Sequence, residues 1–354
     1  MLLVFTVLLA GAPVEEASAA ICQQVQSGTA VNNANGIQTI TISSIDTTKS
    51  ILIFQARSNS NRPVGSEVRG RLASATTIQF ERATDEATPA AINLQWYVAT
   101  FGSGVTVQRG ETAQSGTTTN QAITAVAALN RAFVLWSKTP AAADAGWGAD
   151  DSVLGELTST TNLQFRANAA NAAHIIAWQV VEFTNAADIN VQKGSTTMTG
   201  ATTSVSATIA AVNVSKTFIL AGVRTTDGSG PDIGAKMIRA ELTDATTITF
   251  DRSVGSTSDV TEIAWQAVEL KDASIVWSGT ASFAAGVSVA TAIPITTVNT
   301  RRAVAFISTQ GGGGQNMGRS PYVGDDLPGV GTATAGITPS LITLTRDKDR
   351  KSVV

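Results

Sequence analysis

The chain has one cysteine and one histidine among its 354 residues, Cys22 and His174. With so few of these side chains, a disulfide framework and a zinc site built from Cys and His are excluded. Charged residues make up only 14% of the chain and the net charge is -3, which excludes a basic surface for nucleic acid. We therefore expect a protein that is not an enzyme, has no resident cofactor and does not bind nucleic acid.

One long apolar run is present, at the N-terminus. Residues 1–12 read MLLVFTVLLAGA, which is too short to span a bilayer. The small residues Ala17, Ser18 and Ala19 follow, as signal peptidase requires, although no Lys or Arg precedes the apolar run. This pattern predicts a signal peptide over residues 1–19, an extracellular or cell-surface location, and no transmembrane segment after cleavage. The alternative is a buried first strand.

Four landmarks recur in the same order with a period of about 85 residues, which indicates an internal repeat. The first is a V-x-x-G motif that begins at Val25, Val107, Val191 and Val276. The second is a basic residue before an apolar run, at Lys49, Arg131, Lys216 and Arg302. The third and fourth are a Thr-rich segment that ends on Phe80, Phe165 or Phe250 and an apolar segment around Trp96, Trp178 or Trp265.

Apolar residues alternate with Thr and Ser inside each repeat, as in Val205, Ala207 and Ile209. This period of two predicts about six half-buried strands per repeat and no long helices. The predicted fold is all-β, a tandem array of four small antiparallel β-sandwich repeats with the last one incomplete. The repeats are assigned to residues 20–106, 107–190, 191–275 and 276–348, packed together or separate.

The recurring rings are expected to form the core of each sandwich. Each of the first three repeats has one such Phe and one such Trp: Phe80 and Trp96, Phe165 and Trp178, and Phe250 and Trp265. A large ring on each sheet compensates for the small core of so short a repeat. The alternative is a stacking platform for sugars or bases.

The fourth repeat has no Trp segment of its own. Its last strand matches the Phe80 strand, and the chain then ends in DRKSVV. A sandwich without this strand leaves backbone groups unpaired, so we expect the natural protein to continue. Residues 349–354 are expected to be a non-native tail, since a common sequencing adapter encodes the same letters. A divergent capping end is the alternative.

The loop after the second landmark differs in every repeat and is the candidate ligand-binding part. Its Asp residues are oxygen ligands of the kind that Ca²⁺ takes, although Asp is also a common turn residue. Two aromatic residues outside the repeat pattern could stack on a sugar. The candidate residues are Asp144, Trp147, Asp150, Asp151, Asp227, Asp232, Tyr322, Asp325 and Asp326.

Other residues with chemical potential have simpler explanations. His174 has no partner set that would make it catalytic, and we expect it on the surface of a strand. Glu182 and Glu269 occupy equivalent repeat positions, which indicates framework residues rather than the two carboxylates of a glycosidase. The glycine-rich segment 311–318 lacks the Lys and Ser/Thr of a phosphate loop.

The landmarks resemble those of the H-type lectin domain, on Val107 and Gly110, the FVL at 133–135, Phe165 and Trp178. The resemblance implies a six-stranded sandwich that binds sugar, and no sugar-binding residue of that family can be placed here. The repeats also look like those of phage tail fibres. We expect an exported adhesive or carbohydrate-binding protein that binds glycans or cell-surface polymers and that can form a homo-oligomer or fibre. The alternative is a structural component of an extracellular or phage tail fibre without a ligand of its own. A polysaccharide hydrolase is the minor alternative.

Overall fold

The computed structural model describes residues 2–9, 22–60, 62–83, 89–142, 144, 146–226, 233–253, 255, 260–271, 274–283, 287, 293–311 and 331–347. Regular structure in these residues is almost entirely β-strand, as the sequence predicts. The exceptions are one helical turn, Ile233–Lys236, and short 3-10 turns at Pro63–Gly65, Leu129–Arg131, Val214–Lys216 and Thr300–Arg302. None of the helices in this described part is long and apolar enough to cross a membrane.

The first three units contain six antiparallel strands each. Unit 1 has β2 (Cys22–Asn32), β3 (Gly36–Thr41), β4 (Ser50–Ser58), β5 (Arg69–Ser74), β6 (Thr77–Arg82) and β7 (Ile92–Phe101). Unit 2 has β8 (Val105–Ala113), β9 (Thr118–Ala122), β10 (Ala132–Thr139), β11 (Leu154–Ser159), β12 (Asn162–Arg166) and β13 (Ile175–Phe183). Unit 3 has β14 (Ile189–Thr199), β15 (Ser204–Thr208), β16 (Thr217–Thr225), β17 (Arg239–Asp244), β18 (Thr247–Asp251) and β19 (Val260–Leu270).

Unit 4 combines the two ends of the described chain. It has β1 (Leu2–Leu9), β20 (Ile275–Ser282), β21 (Ile293–Pro294), β22 (Ala303–Gln310), β23 (Thr334–Ile337) and β24 (Leu341–Thr345). In every unit the strands form two three-stranded sheets. We call the sheets β2-β7-β4, β8-β13-β10, β14-β19-β16 and β20-β1-β22 the inner sheets, and the sheets β3-β6-β5, β9-β12-β11, β15-β18-β17 and β21-β24-β23 the outer sheets.

The alternation of residue types places each ring in the core. In β6, Ile78 and Phe80 are fully buried, while the alternate residues Thr77 and Gln79 are half-buried. The predicted core rings are at most 8% exposed in all three complete units. They lie between the inner and outer sheet of their own unit, in the pairs Phe80 and Trp96, Phe165 and Trp178, and Phe250 and Trp265.

The glycine of the V-x-x-G motif makes room for the neighbouring tryptophan. Gly28 pairs with Trp96, Gly110 with Trp178 and Gly194 with Trp265 across the inner sheet. A Cβ added at any of the three glycines would lie less than 3.0 Å from the indole ring. Any larger residue at this position would therefore displace the ring.

The four sandwiches pack into a closed ring. The last strand of each outer sheet lies against the inner sheet of the next unit: β5 on β10 and β13, β11 on β16 and β19, β17 on β22 and β1, and β23 on β4 and β7. The contact from unit 4 back to unit 1 closes the ring, so the repeats form one body rather than a string.

A shared apolar core lies along the axis of the ring. Equivalent residues of β4, β10, β16 and β22 face it, in two layers: Ile51, Phe133, Phe218 and Val304, then Ile53, Leu135, Leu220 and Phe306. The rings of Phe218 and Phe306 stack at 4.9 Å, and Phe133 meets Phe218 edge to face at 5.9 Å. Side chains alternate along each of these strands, so the residues between those named face the core of the strand's own sandwich. Each strand therefore contributes to two cores.

The N-terminal apolar run forms the central strand of the fourth inner sheet. β1 pairs antiparallel with β20 and with β22, and Phe5 is paired with Gly279 and with Ile307. Trp178 has the same register in unit 2, where it is paired with Gly110 and with Trp136. Residues 2–9, assigned above to a signal peptide, thus form the central strand that a Trp segment forms in the other units. The structure has the N-terminal strand that was the alternative to a signal peptide, whereas cleavage of residues 1–19 and export stay predictions.

Candidate functional site

The described parts of the four divergent loops lie at one end of the ring. They connect β4 to β5, β10 to β11, β16 to β17 and β22 to β23, and so leave equivalent strands at the same end. We call this end of the molecule, in its described residues 59–60, 62–68, 140–142, 144, 146–153, 226, 233–238, 311 and 331–333, the loop end. Its described part includes contacts between the loops of units 1 and 2, 2 and 3, and 3 and 4, and a contact from the loop of unit 4 to the end of β4.

Neighbouring loops contact each other through backbone and side-chain groups. The N–H of Val64 donates to the carbonyl of Asp144 at 3.4 Å, and Lys236 Nζ donates to the carbonyl of Trp147 at 3.1 Å. Met237 packs against Gly311 and Gly331. Ser58, the last residue of β4, donates its N–H to Thr332 Oγ1 at 3.3 Å. The described parts of the divergent loops therefore adjoin one another at this end of the ring.

The structure brings together three of the predicted ligand residues. Asp144, Asp150 and Asp151 converge around His174 in unit 2. Trp147 lies in the same loop and is half-buried. The remaining candidates, Asp227, Asp232, Tyr322, Asp325 and Asp326, lie outside the described residues.

His174 is at the centre of this cluster, and the expectation that it lies on a strand surface is wrong. Its side chain is fully buried, because the β10–β11 loop folds over the residue that precedes β13. Nε2 lies 3.3 Å from Asp144 Oδ2 and 3.7 Å from Asp150 Oδ2. The side-chain nitrogen of Asn171 lies 2.9 Å from the same ring nitrogen and donates to Asp150 at 2.8 Å.

Lys138, the next-to-last residue of β10, supplies the positive charge of the cluster. Its Nζ donates to the carbonyl of Asp151 at 2.8 Å and lies 3.4 Å from both Asp151 Oδ1 and His174 Nδ1. It also lies 2.9 Å from Oε2 of Glu67, which belongs to the loop of unit 1. The cluster therefore joins the loops of two units through buried and half-buried ionisable groups.

Burial and charge change the acidity of these groups. Burial raises the pKa of Glu67 to about 8, although Lys138 opposes the shift. Burial also raises the pKa of Asp151 to about 6. For Asp144, hydrogen bonds from His174 and Asp151 outweigh burial and lower the pKa. The pKa of Lys138 is raised because attraction to Glu67 and Asp151 outweighs its burial, so the ammonium ion persists at neutral pH.

The donor set of Asp144, Asp151 and His174 has the composition of a metal site. One ligand atom from each lies within 4.8 Å of the other two. Two carboxylates and an imidazole suit a transition metal such as zinc better than Ca²⁺, which takes six to eight oxygens. The ammonium group of Lys138 lies 3.4 Å from two of these ligands and competes with any metal for them. The expectation of no resident cofactor, with Ca²⁺ as its alternative, stays a prediction.

Two adjoining cavities lie between the units. One of about 340 Å³ separates units 1 and 2, and one of about 450 Å³ lies among units 2, 3 and 4. Leu135, Trp136 and Phe306 line both. Glu67 and Lys138 border the first and Lys236 borders the second, so both cavities reach the loops.

The two repeated glutamates have structural partners. Oε1 of Glu182 accepts from the N–H of Ala127 at 2.6 Å, and Oε1 of Glu269 accepts from the N–H of Asn213 at 2.9 Å. Each carboxylate holds the turn before the third strand of its unit. Their equivalent roles agree with framework residues.

Sequence reasoning missed Lys138 and Glu67 as members of the cluster. A signal was present for Lys138, because the equivalent residues of the other units are the uncharged Ala56, Val223 and Thr309. The sequence around Glu67 gave no such signal, because its partner Lys138 lies in another unit and only the closed ring brings the two residues together. A scan against protein-family models and a search of curated proteins both return no match.

Proposed function

We propose that this protein is an exported, non-enzymatic adhesive protein that binds a carbohydrate or a similar cell-surface polymer at its loop end. The observation that carries the proposal is that the described parts of all four divergent loops lie at one end of the ring. The repeated features, by contrast, serve packing: the Trp and Phe rings, the V-x-x-G glycines and the glutamates.

Several properties of the loop end suit a sugar ligand. Trp147 offers part of an aromatic ring, and Asp150 in the same loop is a partly accessible hydrogen-bond acceptor. The loop is held in place because Lys236 of the next unit donates to the Trp147 carbonyl. A rigid framework that presents variable loops is a common arrangement for binding sites.

A structural fibre component is the second candidate. The resemblance to tail-fibre repeats favours it, and so does the fourth inner sheet, whose central strand comes from the far end of the chain. A strand of this kind can also be exchanged between copies. In that case the loops are not a binding site.

Glycan-array binding by the full chain and by Trp147→Ala tests the proposal. We expect the wild-type protein to bind a defined set of glycans and the variant to lose at least tenfold in affinity with an unchanged melting temperature. The matched control is Trp147→Phe, which keeps an aromatic face and should keep most of the binding. The adhesive function would be wrong if the wild-type protein bound no surface polymer but formed regular polymers in negative-stain images. That result would support the structural fibre component instead.

A further inference from the structure

One position of the inner sheets carries a large apolar side chain in three units and a methyl group in the remaining one. The four residues are equivalent because each is paired with the same residue of the central strand. They are Phe54 opposite Trp96, Trp136 opposite Trp178, Ala221 opposite Trp265 and Ile307 opposite Phe5. Unit 3 therefore lacks the side chain that fills this place in units 1, 2 and 4.

The ring at this position packs on the core ring of its own unit. Phe54 meets Phe80 edge to face with the ring centroids 5.0 Å apart. Trp136 meets Phe165 edge to face at 6.5 Å. In unit 3 the core ring is Phe250, and Ala221 offers no ring to pack on it.

The outer sheet is matched to the presence of the ring. The residue paired with the core Phe on the last outer strand is Gly70 in unit 1 and Gly155 in unit 2. A Cβ added at these glycines would lie 2.4 Å from Phe54 and 3.1 Å from Trp136. The equivalent residue of unit 3 is Ala240. The glycine thus accompanies the ring, and unit 3 has neither.

The larger of the two cavities lies at this place in unit 3. Ala221 and Ala240 both line the cavity of about 450 Å³, whereas the cavity beside Phe54 and Gly70 has about 340 Å³. Ala221 is exposed although it is the central residue of β16, and the neighbouring Leu220 is only half-buried. The cavity therefore keeps apolar surface accessible between the units.

Polar groups at the border of this cavity bond to the protein. Ser308 Oγ accepts from the N–H of Ala240 at 3.0 Å and donates to its carbonyl at 3.2 Å. Lys236 Nζ donates to the carbonyl of Trp147 at 3.1 Å. Ordered water needs two to four polar partners, and apolar cavities take apolar molecules instead. The cavity therefore favours a neutral apolar ligand over an ion or a sugar.

We propose that this cavity, lined by Trp136, Ala221, Ala240 and Phe306 among others and called the ring cavity, binds a neutral aromatic molecule of one or two fused rings. The ligand takes the place in unit 3 that the ring of Phe54 has in unit 1. A volume of about 450 Å³ is typical of small-molecule sites. Trp136 and Phe306 offer ring faces and edges for favourable aromatic pairing. The site does not depend on the proposed sugar binding.

Equilibrium dialysis of the full chain against indole tests the ring cavity. We expect one indole per chain with a dissociation constant of about 1 mM or lower, as is reasonable for a ligand of this size. Saturating indole should also raise the melting temperature, because it binds the folded state. Sodium decanoate is the second probe and should bind more weakly. Decanoate that binds more tightly than indole would overturn the aromatic class.

A double variant fills the ring cavity with a side chain of the protein. Ala221→Phe with Ala240→Gly reproduces in unit 3 the Phe54 and Gly70 pair of unit 1. We expect it to weaken indole binding at least tenfold and to raise the melting temperature. Ala240→Gly alone is the matched control, and it should keep the binding because the cavity stays open.

The opposite exchange should create a second site. Phe54→Ala with Gly70→Ala gives unit 1 the small residues of unit 3, and we expect this protein to bind two indoles per chain. This measurement is independent of whether the Ala221→Phe protein folds.

Three results would overturn the proposal. The first is wild-type protein that takes up no indole at 5 mM, well above the expected dissociation constant of about 1 mM. The second is a folded Ala221→Phe, Ala240→Gly protein that binds indole as tightly as the wild type. The third is a folded Phe54→Ala, Gly70→Ala protein that still binds a single indole, which would show that the missing ring does not make the site.

Discussion

The side-chain amide of Gln179 in β13 exchanges two hydrogen bonds with the backbone of Leu52 in the neighbouring unit. Its Nε2 donates to the Leu52 carbonyl and its Oε1 accepts from the Leu52 N–H, both at 2.8 Å. Gln266 makes the same exchange with Val134, the residue equivalent to Leu52 in unit 2, at 2.9 and 3.0 Å. An exposed sheet edge is prone to aggregation, and here the neighbouring unit covers the edge strands β4 and β10 at these residues.

Replacement of Gln179 by Ala should destabilise the contact between units 1 and 2. The change leaves the N–H and C=O of Leu52 without partners in a partly buried place, which costs about 1–3 kcal/mol in the free energy of unfolding. Urea denaturation followed by tryptophan fluorescence measures this loss.

Gln108→Ala is the control for this change. Gln108 makes the same two-bond exchange with Thr124, both bonds at 2.8 Å, but inside one unit and in an exposed position. Because water replaces the lost bonds there, we expect a loss of less than about 1 kcal/mol. Equal losses from the two variants would show that the contact between units contributes no extra stability.

Gly110→Ala should destabilise unit 2 by overpacking. The new Cβ would lie 2.5 Å from the indole of Trp178, whereas the same change at Gly116 meets only ordinary contacts at 3.5 Å or more. Overpacking of this kind costs about 1–3 kcal/mol. Thermal unfolding by circular dichroism should show a clear fall for Gly110→Ala and little change for Gly116→Ala. A fall of the same size in both would refute the role assigned to the motif glycine.

The sequence predicts features that depend on residues close together in one repeat. Alternation and the repeated rings predict the strands and the buried Trp178 and Phe165, because both follow from local patterning. The ring and the cluster around Lys138 depend on contacts between units, and a single sequence has no period or motif that reports them. The apolar run Leu2–Leu9 satisfies the patterns of a leader and of a central strand alike.

The pKa of Glu67 predicts a fall in stability with rising pH. Burial raises that pKa from 4.5 to about 8, so between these values the folded state keeps a proton that the unfolded state has lost. The free energy of unfolding therefore falls over this window and levels off above it. One pKa unit corresponds to about 1.4 kcal/mol, so the whole effect is on the order of 5 kcal/mol.

Glu67→Gln cannot ionise and should remove the upper part of this dependence. Asp151→Asn is the control, because the pKa of Asp151 is raised from 3.8 to about 6 and its removal should flatten only the lower part. Urea unfolding of the three proteins from about pH 4 to 9 separates the two windows. A Glu67→Gln variant that keeps the wild-type slope above pH 6 would contradict the assignment.

Chelation should leave the stability of the wild-type protein unchanged. Lys138 already places a positive charge 3.4 Å from Asp151 Oδ1, so the acidic cluster does not require a metal ion. A bound ion stabilises the folded state by mass action, and its removal would lower the melting temperature. Melting of the purified protein with and without EDTA, and with added Ca²⁺ or Zn²⁺, checks this expectation. A decrease with EDTA would assign the cluster to a resident metal.

Removal of the Lys138 charge should be among the most damaging single changes near the loop end. Lys138→Met keeps a long apolar side chain but removes the contact to Glu67 and leaves Asp151 buried without its cation, and loss of one partner of a buried ion pair costs about 3–5 kcal/mol. The loss should shrink below about pH 6, where Asp151 takes up a proton. The control is Lys49→Met, whose side chain is 36% exposed beside Asp46, and it should cost less than about 1 kcal/mol. Equal effects of the two changes would show that the cluster does not join the units.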